Sequence, residues 1–153
     1  MPFKIIAKLR PIIFRPFFIK IGKNVVIHDN VIFKFPEYIG IGDNVQIAPG
    51  CVIVGGAALS IGSDVLMGSG TKITTSSHNH SRTDIPIRIQ GLSFAPIIIE
   101  DDVWFGFNCV VLGGTIIEKG SIVGANSVLA GSTFDEFSII VGAPGHIKKK
   151  RIN

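Results

Sequence analysis

Aliphatic residues recur at every sixth position through most of this chain, and that spacing excludes most ordinary folds. The count runs Ile21, Ile27, Phe33, restarts at Ile41, Ile47, Ile53 and again at Ile61, Met67, Ile73, and is longest from Ile99 through Phe105, Val111, Ile117 and Val123 to Leu129. Gly often follows the aliphatic residue, as in Ile41-Gly42, Ile61-Gly62 and Val123-Gly124, and a small or β-branched residue often sits four positions on, as at Val45, Cys51, Thr71, Cys109 and Thr115. Such a repeat matches neither an amphipathic helix, with its period of about 3.6 residues, nor the alternation of a hairpin. It fits short strands joined by tight corners, where Gly42-Asp43-Asn44, Gly62-Ser63-Asp64 and Asp101-Asp102 tolerate left-handed backbone. Three strands then close one coil of eighteen residues, and successive coils stack at about the 4.8 Å inter-strand spacing with their aliphatic rows inward.

Composition agrees with this. Eighteen glycines and a charged fraction of only 17% point to strands and turns, and 153 residues with 46% hydrophobic content suffice for one domain. Cys51 and Cys109 occupy equivalent small-residue positions of the repeat and read as two buried thiols. The chain divides into a basic, apolar N-terminal segment or cap (1–20), the repeat region (21–142) interrupted by a loop (76–96), and a basic C-terminal tail (143–153).

Charge gathers at both ends, with Lys4, Lys8, Arg10, Arg15, Lys20 and Lys23 at the start and Lys148, Lys149, Lys150 and Arg151 at the finish. Aromatic residues do not interleave with the terminal cluster, so no nucleic acid is expected as partner and Lys148 to Arg151 read as solvated. The first eighteen residues are apolar but broken by Lys4, Lys8, Arg10, Pro11, Arg15 and Pro16. They fall short of the roughly 18 to 20 uninterrupted residues of a membrane span, and no small-residue cleavage site marks a secretory signal. A peripheral membrane contact suits this segment, and the expected location is the cytoplasm, including the inner face of the membrane.

The repeat stops once, from Ser76 to Pro96, and there His78 and His80 stand within three residues of each other. An irregular segment of this length inside a solenoid tends to be functional.

The run Ile99-Glu100-Asp101-Asp102-Val103-Trp104-Phe105-Gly106, followed by Val123-Gly124-Ala125-Asn126-Ser127 and Val141-Gly142-Ala143-Pro144, resembles the left-handed parallel β-helix acyltransferases. Within them it is similar to the sugar and polysaccharide O-acetyltransferases. The resemblance implies an all-β hexapeptide-repeat solenoid with one extruded loop and short terminal caps. It also implies acetyl-CoA as co-substrate, no metal, a homotrimer, and a sugar or lipid-linked saccharide acceptor.

By position, His78 matches the family's catalytic histidine. It would act as general base on a sugar hydroxyl that attacks the thioester directly, with no acyl-enzyme, and His80 is the rival for that role. Trp104, Phe107, Ala125, His146 and Lys149 match positions that meet the cofactor, although Phe107 stands where a small residue is common. Ala48 replaces a family Asn one coil before the loop. Asn79, His80, Arg82 and Asp84, with Gln90 as a further polar residue, are the candidates for acceptor contacts. Two other classes use related coils. A non-catalytic scaffold would leave the loop dispensable, and a metal-dependent carbonic anhydrase would need three histidines converging on one ion.

Overall fold

A computed structural model describes the backbone of residues 2–152 and the side chains of residues 6–152, so the side chain of Lys4 lies outside the described residues. The repeat builds a triangular parallel β-helix. Its first face stacks six strands, from Lys20–Ile21 through Ile39–Ile41, Leu59–Ile61, Ile97–Ile99 and Ile116–Ile117 to Thr133–Phe134. The second face runs from Val26–Ile27 through Leu66–Met67 and Trp104–Phe105 to Ser138–Val141, and the third from Ile32–Lys34 through Lys72–Thr74 and Val110–Leu112 to Val128–Ala130.

The inward positions are those of the sequence repeat. Ile21, Ile41, Ile61, Ile99, Ile117 and Phe134 form one stacked row, and Ile27, Ile47, Met67, Phe105, Val123 and Ile140 another, all buried. Removing these rows from water, at roughly 25 cal/mol per Å², is the main source of stability. Buried hydroxyls at the corners bond to backbone, as Thr71 Oγ1 donates to Gly68 O at 2.9 Å and Thr115 Oγ1 to Leu112 O at 2.7 Å. Cys51 and Cys109 are buried free thiols, and burial pushes both above the usual thiol range.

The expected eighteen-residue coil holds only in part of the solenoid. Ile99 pairs with Ile117 at that spacing, but Ile21 pairs with Ile41 and Ile41 with Ile61, twenty residues apart. The two extra residues lie between the third and first faces, where Pro36–Tyr38 forms a short 3-10 turn in the first coil. The corner between the first and second faces is left-handed in every layer, through Asn24, Asn44, Asp64, Asp102, Gly120 and then Phe137 at φ 56°. Phe137 breaks the Gly/Asn/Asp rule, and its ring lies over Gly120, where an added Cβ would sit 2.4 Å from Phe137 Cδ1.

Both ends of the coil are closed. At the start, helix α1 (Pro2–Phe14) packs Ala7, Pro11 and Phe14 over the first layer, and Phe14 and Phe18 meet Phe33 edge-on. Arg10 Nη1 donates to Ile27 O at 3.0 Å and Arg15 Nη2 to Gly22 O at 2.9 Å, satisfying carbonyls that an open edge would leave unpaired. At the other end, the residues expected as a tail do not trail into solvent. His146–Lys150 is a strand antiparallel to Ser138–Val141, Lys150 Nζ donates to Glu136 O, and Arg151 bonds Asp102 and Gly120 O. A terminal coil exposes unpaired backbone, and this strand covers it.

Candidate active site

The loop begins as a ribbon rather than as irregular chain. Thr75 ends the third face of its coil, and its buried Oγ1 accepts from Ala57 N at 3.0 Å. Ala95 N donates to Thr75 O at 2.9 Å, so entry and exit of the loop are joined at one neck. Beyond the neck Ser76–His78 pairs antiparallel with Leu92–Phe94, in the register Ser76 with Phe94, Ser77 with Ser93 and His78 with Leu92. Phe94 lies against Gly56, whose φ of 127° and 2.8 Å clearance to the ring for an added Cβ leave room for glycine alone.

The outer loop is ordered by its own polar groups. Gln90 is the hub: its Oε1 accepts from Arg82 N at 3.1 Å, and its Nε2 donates to Arg82 O at 2.7 Å and to Ile85 O at 3.0 Å. Asn79 donates from its backbone to Gly91 O at 3.0 Å and from Nδ2 to Gln90 O at 3.1 Å. Arg82 forms a fork with Asp84, and the guanidinium holds that carboxyl below its ordinary range. Asn79, Arg82 and Asp84, the candidate acceptor contacts, thus direct polar atoms into the loop itself.

The two histidines differ in how they are held. His80 Nδ1 lies 3.1 Å from His78 O, and because a carbonyl only accepts, that nitrogen carries the proton. His78 is exposed at the end of the ribbon, and among the described residues no hydrogen bond fixes its ring. A groove of about 380 Å³ runs beside the ribbon's base, lined by Ser77, Phe94, Leu112, Gly113, Ala130 and Gly131.

The residues matched to the cofactor lie elsewhere on the prism. Trp104 stands outward on the second face between Leu66 and Ile122 and is half exposed. Phe107 and Ala125 are neighbours on the corner between the second and third faces, both exposed, with Asn126 N donating to Phe107 O at 2.9 Å. His146 and Lys149 sit on the closing strand, opposite Val141 and Ile139. The ribbon, by contrast, leaves from the corner between the third and first faces. One chain therefore splits the predicted set, with His78 at one corner and Trp104, Phe107 and Ala125 on the second face and its following corner. Sequence reasoning passed over Gln90 as hub, because its partners are set by pairing across the loop and not by any local pattern.

Residues 96–131 match the bacterial transferase hexapeptide (six repeats) family. Over 94% of its length the chain superposes on 77% of the hexapeptide-repeat-containing acetyltransferase VCA0836 from Vibrio cholerae O1 biovar eltor, solved with acetyl coenzyme A, at 32% identity and a TM-score of 0.84. It is 27% identical over 120 residues to Escherichia coli K12 WcaF, which carries the name of a colanic acid biosynthesis acetyltransferase, covering 78% of this chain and 63% of that one. With WbbJ of the same organism, named for lipopolysaccharide biosynthesis O-acetyl transfer, it shares 38% identity over 90 residues, 53% of this chain and 45% of that one. Fold and similarity together place the chain in the hexapeptide-repeat acetyltransferase family. The chain spans about half the length of the curated relatives it matches.

Proposed function

We propose that this protein transfers an acetyl group from acetyl-CoA to a sugar hydroxyl, with His78 as general base. The observation that carries the reading is the single break in the coil, which presents an exposed imidazole on a hydrogen-bonded ribbon anchored at Thr75 and Ala95. Similarity to an acetyltransferase solved with acetyl coenzyme A supports the donor, and similarity to WcaF and WbbJ supports a saccharide acceptor, free or lipid-linked.

Neutral His78 takes the hydroxyl proton as the sugar oxygen attacks the thioester carbonyl. The tetrahedral intermediate collapses with loss of the CoA thiolate, and the imidazolium returns its proton to that sulfur. Proton and acyl group balance without a covalent enzyme intermediate or a metal. General base catalysis of this kind contributes about 10²–10⁴-fold, and holding hydroxyl and thioester together supplies further acceleration. His80 acts as a positioning residue, since its Nδ1–H clamps the His78 carbonyl.

The split between the ribbon corner and the Trp104, Phe107 and Ala125 surface supports a homotrimer about parallel coil axes, in which the ribbon of one chain reaches the cofactor surface of the next. Ile87 and Ile89 in the outer loop and Leu92 on the ribbon, all exposed, would be covered there.

The test is thiol release from acetyl-CoA against a panel of saccharide acceptors. His78→Ala is expected to lower turnover about 10²–10⁴-fold with folding intact, and His80→Ala to lower it less. Full activity in His78→Ala, or loss in His80→Ala alone, overturns the assignment. Sedimentation of the active species checks the trimer, and an active monomer sinks it.

A further inference from the structure

Helix α1 is apolar on both sides. Its inner side, Ala7, Pro11 and Phe14, is spent on capping the coil. Its outer side carries Ile6, Leu9 and Ile13 at the i, i+3, i+7 spacing of a helical stripe with Ile12 beside them, and Phe17 and Ile19 continue it past the helix end. These six side chains are 46 to 66% exposed. A soluble surface helix keeps its outer face polar, and one that does not has a second apolar environment.

The charges around the stripe identify that environment. The first twenty-eight residues contain no Asp or Glu. Arg10 is engaged with Ile27 O and Asp29, but Lys8 on the helix, Lys20 on the first strand and Lys23 at the corner after it are exposed. Two copies meeting through this surface would oppose cation to cation. An anionic lipid headgroup layer meets both needs, with acyl chains for the isoleucines and phosphates for the lysines. The helix has thirteen residues, short of the roughly 20 that cross a bilayer, so it lies in the interface rather than across it.

We propose that the outer face of α1 docks this protein on an anionic lipid bilayer, with Ile6, Leu9, Ile12, Ile13, Phe17 and Ile19 in the headgroup boundary and Lys8, Lys20 and Lys23 on lipid phosphates. A lipid-linked acceptor would then be met at the membrane surface, but docking itself stands on the helix and not on acetyl transfer.

The experiment is flotation of the full chain with vesicles of phosphatidylcholine containing phosphatidylglycerol, and with phosphatidylcholine alone, with no acetyl donor present. The protein floats with the anionic vesicles, far less with the neutral ones, and high salt releases it. Leu9→Ser with Ile13→Glu lowers partitioning at least about tenfold, as expected for losing two buried aliphatic chains, while the thermal midpoint of the coil holds. Lys8→Glu with Lys23→Glu gives a second loss without touching the stripe. Failure of the parent protein to float, equal flotation of the Leu9→Ser/Ile13→Glu variant, or a change in copy number with unchanged flotation each overturns the proposal. None of these outcomes depends on turnover, so acetyl transfer stands or falls separately.

Discussion

The coil and the ribbon obey opposite rules of construction. In the coil each inward residue repeats its neighbours above and below, and Ile41, Ile61 and Ile99 are all at most 2% exposed. The fold there is specified many times over by apolar burial. In the ribbon nothing repeats. Ser77, His78 and Leu92 to Phe94 are exposed, and the shape rests on three paired positions of the ribbon and on the hydrogen bonds that Gln90 makes in the loop beyond it. The contrast teaches where such a structure can vary: a change at an inward position is felt by the layers above and below it, whereas a loop held by its own polar groups can be rebuilt without unfolding the prism.

The largest expected effect breaks the coil. Phe105 is fully buried in the row between Met67 and Val123. Phe105→Ala leaves a cavity in a stack that cannot collapse along its axis, and about 3–5 kcal/mol of stability is lost. Urea denaturation measures this, and a loss under about 1 kcal/mol would mean that the rows are not the main stabilising element.

Gln90→Leu sharpens the same comparison at the ribbon. Three side-chain hydrogen bonds disappear, at a local cost of about 1–3 kcal/mol, while the coil's midpoint shifts little. Hydrogen exchange of residues 79–92 should rise and turnover should fall with His78 still present. Unchanged exchange in that segment would show that the ribbon pairing alone holds the loop.

Much of the coil was legible in advance because its information is local and redundant: the rows that pass through Ile99, Phe105 and Val111 can be counted off the chain. The longer early coils showed only as offsets in that count, because an added turn between faces leaves the next strand's pattern intact. The stretch from Ser76, with His78 in it, was legible as the place where the pattern stops, and the structure puts His78 on the ribbon. Trp104, Phe107 and Ala125 were named as cofactor-side candidates by position, but their separation from His78 around the prism could not be read, since sequence spacing says nothing of which corner a loop leaves. Helix α1 was harder to read. Pro11 lies inside it and neither helical face is polar, so burial against the first coil, rather than propensity or amphipathic pattern, decides its structure. The closing strand His146–Lys150 was hidden in the same way, because a run of lysines reads as solvated chain until an open edge needs covering.

The smallest effect concerns the fork at the loop tip and is a matter of pH. The Arg82 guanidinium draws the Asp84 carboxyl below its ordinary range, so the folded loop binds that proton less readily than the unfolded chain does. The pair's contribution is complete above the ordinary carboxylate range and is lost as pH falls through the lowered value. Both groups are exposed, so salt screens the pair and the coil does not register its loss. Exchange protection of residues 82–85 should therefore be flat from neutral pH down to the carboxylate range and decline only in acid, and Asp84→Asn should abolish that acid step while leaving Gln90's bonds to Arg82 and Ile85 in place. A step that survives in Asp84→Asn would belong to another group, and the loop would then owe its order to Gln90 without help from the fork.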